Sequence, residues 1–265
     1  MRTNPIGVFD SGVGGLTVVA ALNRHLPGES IVYLGDTARL PYGTKSQATV
    51  RRYTRRNVDF LLTRGVKGVV VACNTASALA LEDLDTPVPI WGVIEPGAAT
   101  AARRSAGRVG IVATESTVGS GAYTRALLRR RPDLEITAVA CPLFVPLVEE
   151  GWLDDRVTVE VAERYLRPLI EKRIDTLVLG CTHYPLLAPV LRRVMGPDVD
   201  LVDSAESVAA TVATDLAAAE LLAPGDTTTR RLYVTDAAPH FGRLAASILD
   251  AGAATPPELE LVDVP

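Results

Sequence analysis

Short apolar runs alternate with longer mixed stretches along the chain. IGVF (6–9), SIVYLG (30–35), GVVVA (68–72), RVGIVA (108–113) and TLVLG (176–180) are rich in Val and Ile, and each ends near Gly, Asp or Cys. Runs this continuous suit strands covered on both faces, and the Ala/Leu/Arg stretches between them read as crossover helices. Residues 46–64, SQATVRRYTRRNVDFLLTR, show the helical pattern. Ser46 caps, Val50, Tyr53, Asn57, Phe60 and Leu61 form one stripe, and Arg51, Arg52, Arg55 and Arg56 lie off it. This alternation predicts an α/β chain with mainly parallel sheets of the doubly wound type.

The pattern also repeats. GVFDSGVGGLTV (7–18) aligns with GIVATESTVGSG (110–121) at an offset of about 103, and IVYLGD (31–36) with ITAVAC (136–141) at 105. VVVACNTA (69–76) aligns with LVLGCTHY (177–184) at 108. Three pairs in one order predict two similar, pseudo-twofold-related α/β lobes facing one another, with an active site in the cleft between them. A junction is expected near VIEPGAAT (93–100). The helix-like TVATDLAAAELL (211–222) and the strand-like RRLYVTD (230–236) then return to the first lobe. The expected division is residues 1–97 plus 206–265 for one lobe and 98–205 for the other.

Size and composition fit that picture. At 265 residues, about two domains are expected, and area scaling buries roughly three quarters of the unfolded surface. Hydrophobic residues are 48% and charged residues 22%, which excludes a disordered chain. Three cysteines, Cys73, Cys141 and Cys181, are too few for a disulfide framework or a zinc cluster. No apolar run approaches the length of a membrane span. The start, MRTNPIGVFD, reaches a strand within six residues and leaves no room for a signal peptide, so a cytoplasmic protein is expected. The net charge of −4 argues against general affinity for nucleic acid.

Ligands of open α/β sheets bind beyond the carboxyl ends of the strands. Asp10, Ser11, Asp36, Cys73, Cys141 and Cys181 all stand there. A lone Cys after an apolar run is ordinarily an inert small hydrophobe, and Cys141, with no polar follower, is read that way. Cys73 and Cys181 differ: each precedes a polar, hydroxyl-rich turn, and they are mates in the repeat. A helix N-terminus at such a turn would lower a thiol's pKa and hold carboxylates. The turn Asp10-Ser11-Gly12-Val13-Gly14-Gly15 lacks dinucleotide-loop spacing, because Thr17 occupies the third glycine position. Its glycines instead let backbone N–H groups approach an anion, with Asp10 and Ser11 at the rim.

Two thiols on opposite sides of one carbon suit the inversion of a stereocentre next to a carboxylate: one removes the proton and the other returns one to the far face. No metal is required, since His25, His183 and His240 are isolated. No cofactor is expected either: a pyridoxal site needs a Schiff-base lysine, and Lys45, Lys67 and Lys172 are not at strand ends facing the cleft. Two readings of other classes compete. One is a Cys-nucleophile amidase using Cys181 with His183, disfavoured because residues two apart rarely orient as nucleophile and base. The other is a non-catalytic binding protein using Arg51–Arg56 or Arg129–Arg131, which read more simply as solvated helix faces.

GVFDSGVGGLTV (7–18), YLGDTARLPYG (33–43), VVACNTASA (70–78), PLVEEG (146–151) and LGCTHYPLL (179–187) together resemble the aspartate/glutamate racemase family, in particular its glutamate-specific members. The resemblance covers nearly the whole chain; an aspartate racemase is the nearest alternative. It implies a cofactor-independent isomerase that interconverts L- and D-glutamate for peptidoglycan synthesis, as a homodimer. It implies that Cys73 removes the α-proton of D-glutamate and Cys181 that of L-glutamate, with Asp10 assisting the first and His183 the second. Substrate would be held by Asp10 and Ser11, Tyr42 and Gly43, Asn74 and Thr75, and Thr182 and His183. Thr114 and Thr117 are weaker candidates. Glu149 matches a glutamate next to the family's active site, although by sequence alone it is a surface charge.

Overall fold

The apolar runs form strands, and every pairing among the described residues is parallel. The computed structural model describes residues 1–225, 228–236, 239–249 and 259–264. The first lobe begins with β1 (Ile6–Asp10), α1 (Leu16–His25), β2 (Ile31–Gly35), α2 (Gln47–Thr63), β3 (Gly68–Val71), α3 (Asn74–Leu79) and β4 (Ile90–Gly92). After α4 (Ile94–Arg104), the second sheet is built from β5 (Arg108–Ala113), β6 (Glu135–Ala140), β7 (Thr176–Gly180) and β8 (Asp200–Asp203). Between its strands run α5 (Glu115–Ser120), α6 (Ala122–Arg130), α7 (Phe144–Glu149), α8 (Arg156–Glu171) and α9 (Ala188–Met195). The chain returns through α10 (Ser204–Ala218) to β9 (Arg230–Val234), α11 (Pro239–Leu249) and β10 (Leu259–Leu261).

The two sheets repeat one topology. The order β2-β1-β3-β4 matches β6-β5-β7-β8, and β9 and β10 extend the first sheet beyond β2. Register agrees with the sequence repeat. Ile6 stands opposite Ile31 and Gly68, and Val109 stands opposite Ile136 and Thr176. Helices cover both faces, so Val8 and Phe9 of one strand enter different apolar clusters.

Two expectations shift. The stretch 93–100 is not a linker but the start of α4, because Pro96 lies in the first helical turn, where no intrahelical N–H bond is owed. The expected division at 97/98 therefore falls inside a helix that packs on α6, β7 and β8. The helix read from Thr211 starts at Ser204, because the Asp203 side chain accepts from the Ala205 N–H and caps it. α10 packs on both α1 and α4 and joins the lobes. In α2 the cap is Ser46 as expected, but Thr54 and Val58 are buried where Tyr53 and Phe60 were expected. Tyr53 stays half-buried under the guanidinium groups of Arg39 and Arg52. Arg51 and Arg55 are not idle surface charge: they donate to the carbonyls of Leu79, Asp83 and Asp85 behind α3.

Candidate active site

Each lobe brings one thiol to the carboxyl edge of its sheet. Cys73 follows β3 and stands at the start of α3, and Cys181 follows β7. Both line one cavity between the lobes. It has about 30 Å³ of room, enough for about two water molecules.

On the first-lobe side, the glycine turn holds a carboxylate of the chain itself. It wraps the chain's own Asp10, whose Oδ2 accepts from the N–H groups of Gly12 and Gly15, both at 3.0 Å. A Cβ at Gly15 would come within 2.3 Å of Asp10 Cβ, so that position must lack one. Asp10 is fully buried and lies behind the cavity wall, not on it. Burial raises its pKa, against the opposing pull of His183 and of the backbone N–H groups. The Cys73 Sγ is 3.8 Å from Ser11 Oγ. Burial, reinforced by the Asp10 charge, pushes the Cys73 thiol up to about 12 in spite of the Ala76 N–H. The helix start was expected to lower it, but desolvation of a buried thiolate outweighs one N–H group.

On the second-lobe side, Cys181 Sγ lies 3.8 Å from His183 Nδ1. Residues two apart were not expected to face each other here. They do so because the chain turns helical at His183 (φ −80, ψ −29) and folds its ring back onto the sulfur. His183 Nε2 is 3.3 Å from Glu149 Oε1, an ion-pair contact without hydrogen-bond alignment. Burial opposes a charged imidazole, yet contacts with Cys181 and Glu149 and the charge of Asp10 push His183 up to about 10. Glu149, read from sequence as a surface charge, ends α7 at the cavity wall.

The lobes are stitched together around the thiols. Thr182 Oγ1 donates to Asp10 Oδ1 at 3.4 Å, and Thr17 Oγ1 donates to the Thr182 carbonyl at 3.1 Å. A Cβ on Gly14 would lie 2.5 Å from Thr182 Oγ1 and 2.6 Å from His183 Nδ1, so glycine there allows the close approach. Thr75 of α3 meets Thr114 at 3.0 Å and Thr117 at 3.2 Å, and Ser116 Oγ donates to the Gly43 carbonyl at 2.7 Å.

Of the residues expected at the site, Ser11, Tyr42, Gly43, Cys73, Asn74, Thr75, Cys181, Thr182 and His183 line the cavity, joined by Thr114 and Glu149. Asp10 and Thr117 stand behind it. Sequence reasoning missed Leu40 and Val145, apolar wall residues that carry no chemical signal. It placed Asp36 at a strand end without a task. Asp36 accepts from the Tyr42 hydroxyl, from Asn57 Nδ2 at 3.3 Å and from Arg39 at 3.0 Å, and so anchors the loop that carries Tyr42 and Gly43. Cys141 is buried, its thiol lies 3.7 Å from the Val139 carbonyl, and its own carbonyl accepts from the Tyr184 hydroxyl at 2.8 Å. Lys67 is sealed in an ion pair with Glu29 at 2.5 Å and does not line the cavity.

Residues 6–212 match the family described as Asp/Glu/Hydantoin racemase. The chain belongs to that family. Among its relatives, the glutamate racemase of Geobacter metallireducens is 51% identical over 254 residues, 94% of each chain. A glutamate racemase isoform of Bacillus anthracis superposes with a TM-score of 0.95 at 37% identity, covering 100% of this chain and 99% of that one. The glutamate racemase of Francisella tularensis, solved in complex with D-glutamate, superposes at 0.92 with 35% identity over 100% and 99% of the two chains. The family thus has this two-lobed fold in members that bind the amino acid at issue.

Proposed function

We propose that the chain interconverts L- and D-glutamate without a cofactor, using Cys73 and Cys181 as the acid/base pair. The single observation that carries this reading is the pair of thiols, one from each lobe, lining one cavity. With D-glutamate bound, Cys73 as thiolate takes the α-proton, and Cys181 as thiol delivers its own proton to the opposite face. With L-glutamate the roles reverse, and each cycle ends with the proton inventory of the two sulfurs exchanged. His183 holds a proton at neutral pH next to Cys181, which equips it to pass a proton to or from that sulfur. Asp10 acts through Ser11, the glycine turn and Thr182 instead of touching substrate.

The two carboxylates of glutamate are held by donors around the cavity. These are Ser11, the Tyr42–Gly43 loop, Asn74, Thr75, Thr182 and His183. The small room in the cavity calls for the lobes, one built on the β1–β4 sheet and the other on the β5–β8 sheet, to part for substrate entry and close over it. A neighbouring recess of about 270 Å³, lined by Leu40, Pro142, Val145 and Pro146 among others, offers the approach. A cytoplasmic homodimer supplying D-glutamate for peptidoglycan fits the family. Among the described residues, no helix is long and apolar enough to cross a membrane.

The test is incubation of L-glutamate and, separately, L-aspartate with the purified protein in deuterated water, with nothing added. D-glutamate carrying deuterium at the α-carbon is expected, with little change to aspartate. An unexchanged glutamate pool ends the proposal, and faster exchange into aspartate transfers it to the other substrate.

A further inference from the structure

Asn74 is a substrate-facing amide whose orientation is set from the other lobe. It opens α3, lines the cavity and is 2% exposed. Its Oδ1 accepts from the Tyr123 hydroxyl at 2.7 Å, while its buried Nδ2 has no partner. A buried amide nitrogen left without an acceptor is costly unless something fills the space beside it. Tyr123 belongs to α6 of the second lobe, 2% exposed among Ala98, Ala126 and Val178. Burial pushes its phenol up, against the opposing pull of Ser204.

A carboxamide can sit either way round, and only its partners decide which end faces the ligand. The geometry points to Tyr123 as a positioning residue: by donating to Asn74 Oδ1 across the lobe interface, it turns Nδ2 toward the cavity as a fixed donor for a substrate carboxylate. This rests on the racemase reading above. A dicarboxylate offers acceptors, so an inward-facing Oδ1 would repel it, while an inward-facing NH2 receives it. Removing the phenol hydroxyl frees the amide to turn.

Steady-state racemisation of Tyr123→Phe in both directions tests this. KM is expected to rise about 5- to 10-fold, the size of one lost hydrogen bond, with kcat changed less than about 3-fold. In an Asn74→Ala background the same substitution should change KM by less than about 2-fold, because its lever is gone. A wild-type KM in Tyr123→Phe, or an equal loss with and without Asn74, overturns the proposal. If Tyr123→Phe does not fold, NMR of the wild type with 15N-labelled asparagine side chains reads the same orientation: saturating glutamate must shift the Asn74 Nδ2 proton signals, and signals that stay in place overturn the proposal. Wild-type turnover in the same assay separates the two claims. Active wild type with an unchanged variant overturns the role of Tyr123 alone, whereas wild type that leaves glutamate untouched overturns the functional reading and this one with it.

Discussion

The two sides of the cavity repeat one topology but surround their thiols with opposite chemistry. Cys73 and Cys181 hold matching places after β3 and β7, yet Asp10 of β1 is answered by Ala113 in β5, and Thr75 by His183. One thiol therefore has a buried carboxylate near it and the other an imidazole at 3.8 Å, backed by Glu149. In the proposed mechanism the repeat supplies a sulfur for each face of a planar carbon, and the differing neighbours supply a pocket that can tell the two ends of a chiral dicarboxylate apart. A symmetric pocket would have no reason to hold one hand in one orientation.

The strongest way to break the comparison is to remove a sulfur. Cys73→Ala and Cys181→Ala should each lower kcat by about 10³- to 10⁴-fold, near the upper range for one acid/base group, while circular dichroism shows a folded chain. If either thiol is dispensable, the two sides are not partners.

Sharper, and smaller, is the exchange of the neighbours. Asp10→Asn and His183→Asn should each cost about 10²-fold in kcat/KM, equally in both directions, since the equilibrium constant between enantiomers is one. The difference between the sides appears in isotope effects. With α-deuterated substrates, Asp10→Asn should enlarge the effect for D-glutamate, and His183→Asn for L-glutamate. Identical isotope effects in the two variants would show that the neighbours do not belong to separate thiols.

The smallest effect is on stability. His183 is held up to about 10 in the fold against 6.5 when free, so between those pH values the folded state binds a proton that the unfolded state has released. Its stabilisation is complete below about pH 6.5 and declines as pH rises toward 10. Urea unfolding should show a loss of about 2–3 kcal/mol from pH 7 to 9, and His183→Asn should flatten it. Cys73 adds a similar decline above pH 9, its ordinary value, because the folded thiol holds its proton to about 12. A stability curve that rises over this range would contradict both assignments.

Much of this is legible in the sequence. The apolar runs gave parallel strands because burial on both faces leaves a continuous signature, and the three offsets reappear as sheet register. Both thiols were placed because position after a strand is a local property. The polarity of their surroundings was less accessible. The glycine turn was read as an anion cradle, correctly in its physics, but the anion is Asp10 itself. Arg51 is exposed, as its place off the apolar stripe implies, but the bonds that it and Arg55 make to carbonyls at residues 79–85 were not legible, because those carbonyls lie beyond the helix that carries the arginines.

By itself, then, the amino-acid order determined the elements, their pairing into two like lobes and the residues at the strand ends, since each of these depends on neighbours a few positions away or on a repeat. Only the packed structure decided that Glu149 backs His183, that Asp36 anchors the Tyr42 loop and that Tyr123 turns Asn74. The first and last of those contacts join segments separated by other elements, and the second is locked by Asn57 from α2. Their strength comes from exclusion of water, and that is a property of the closed interface, not of any stretch of chain.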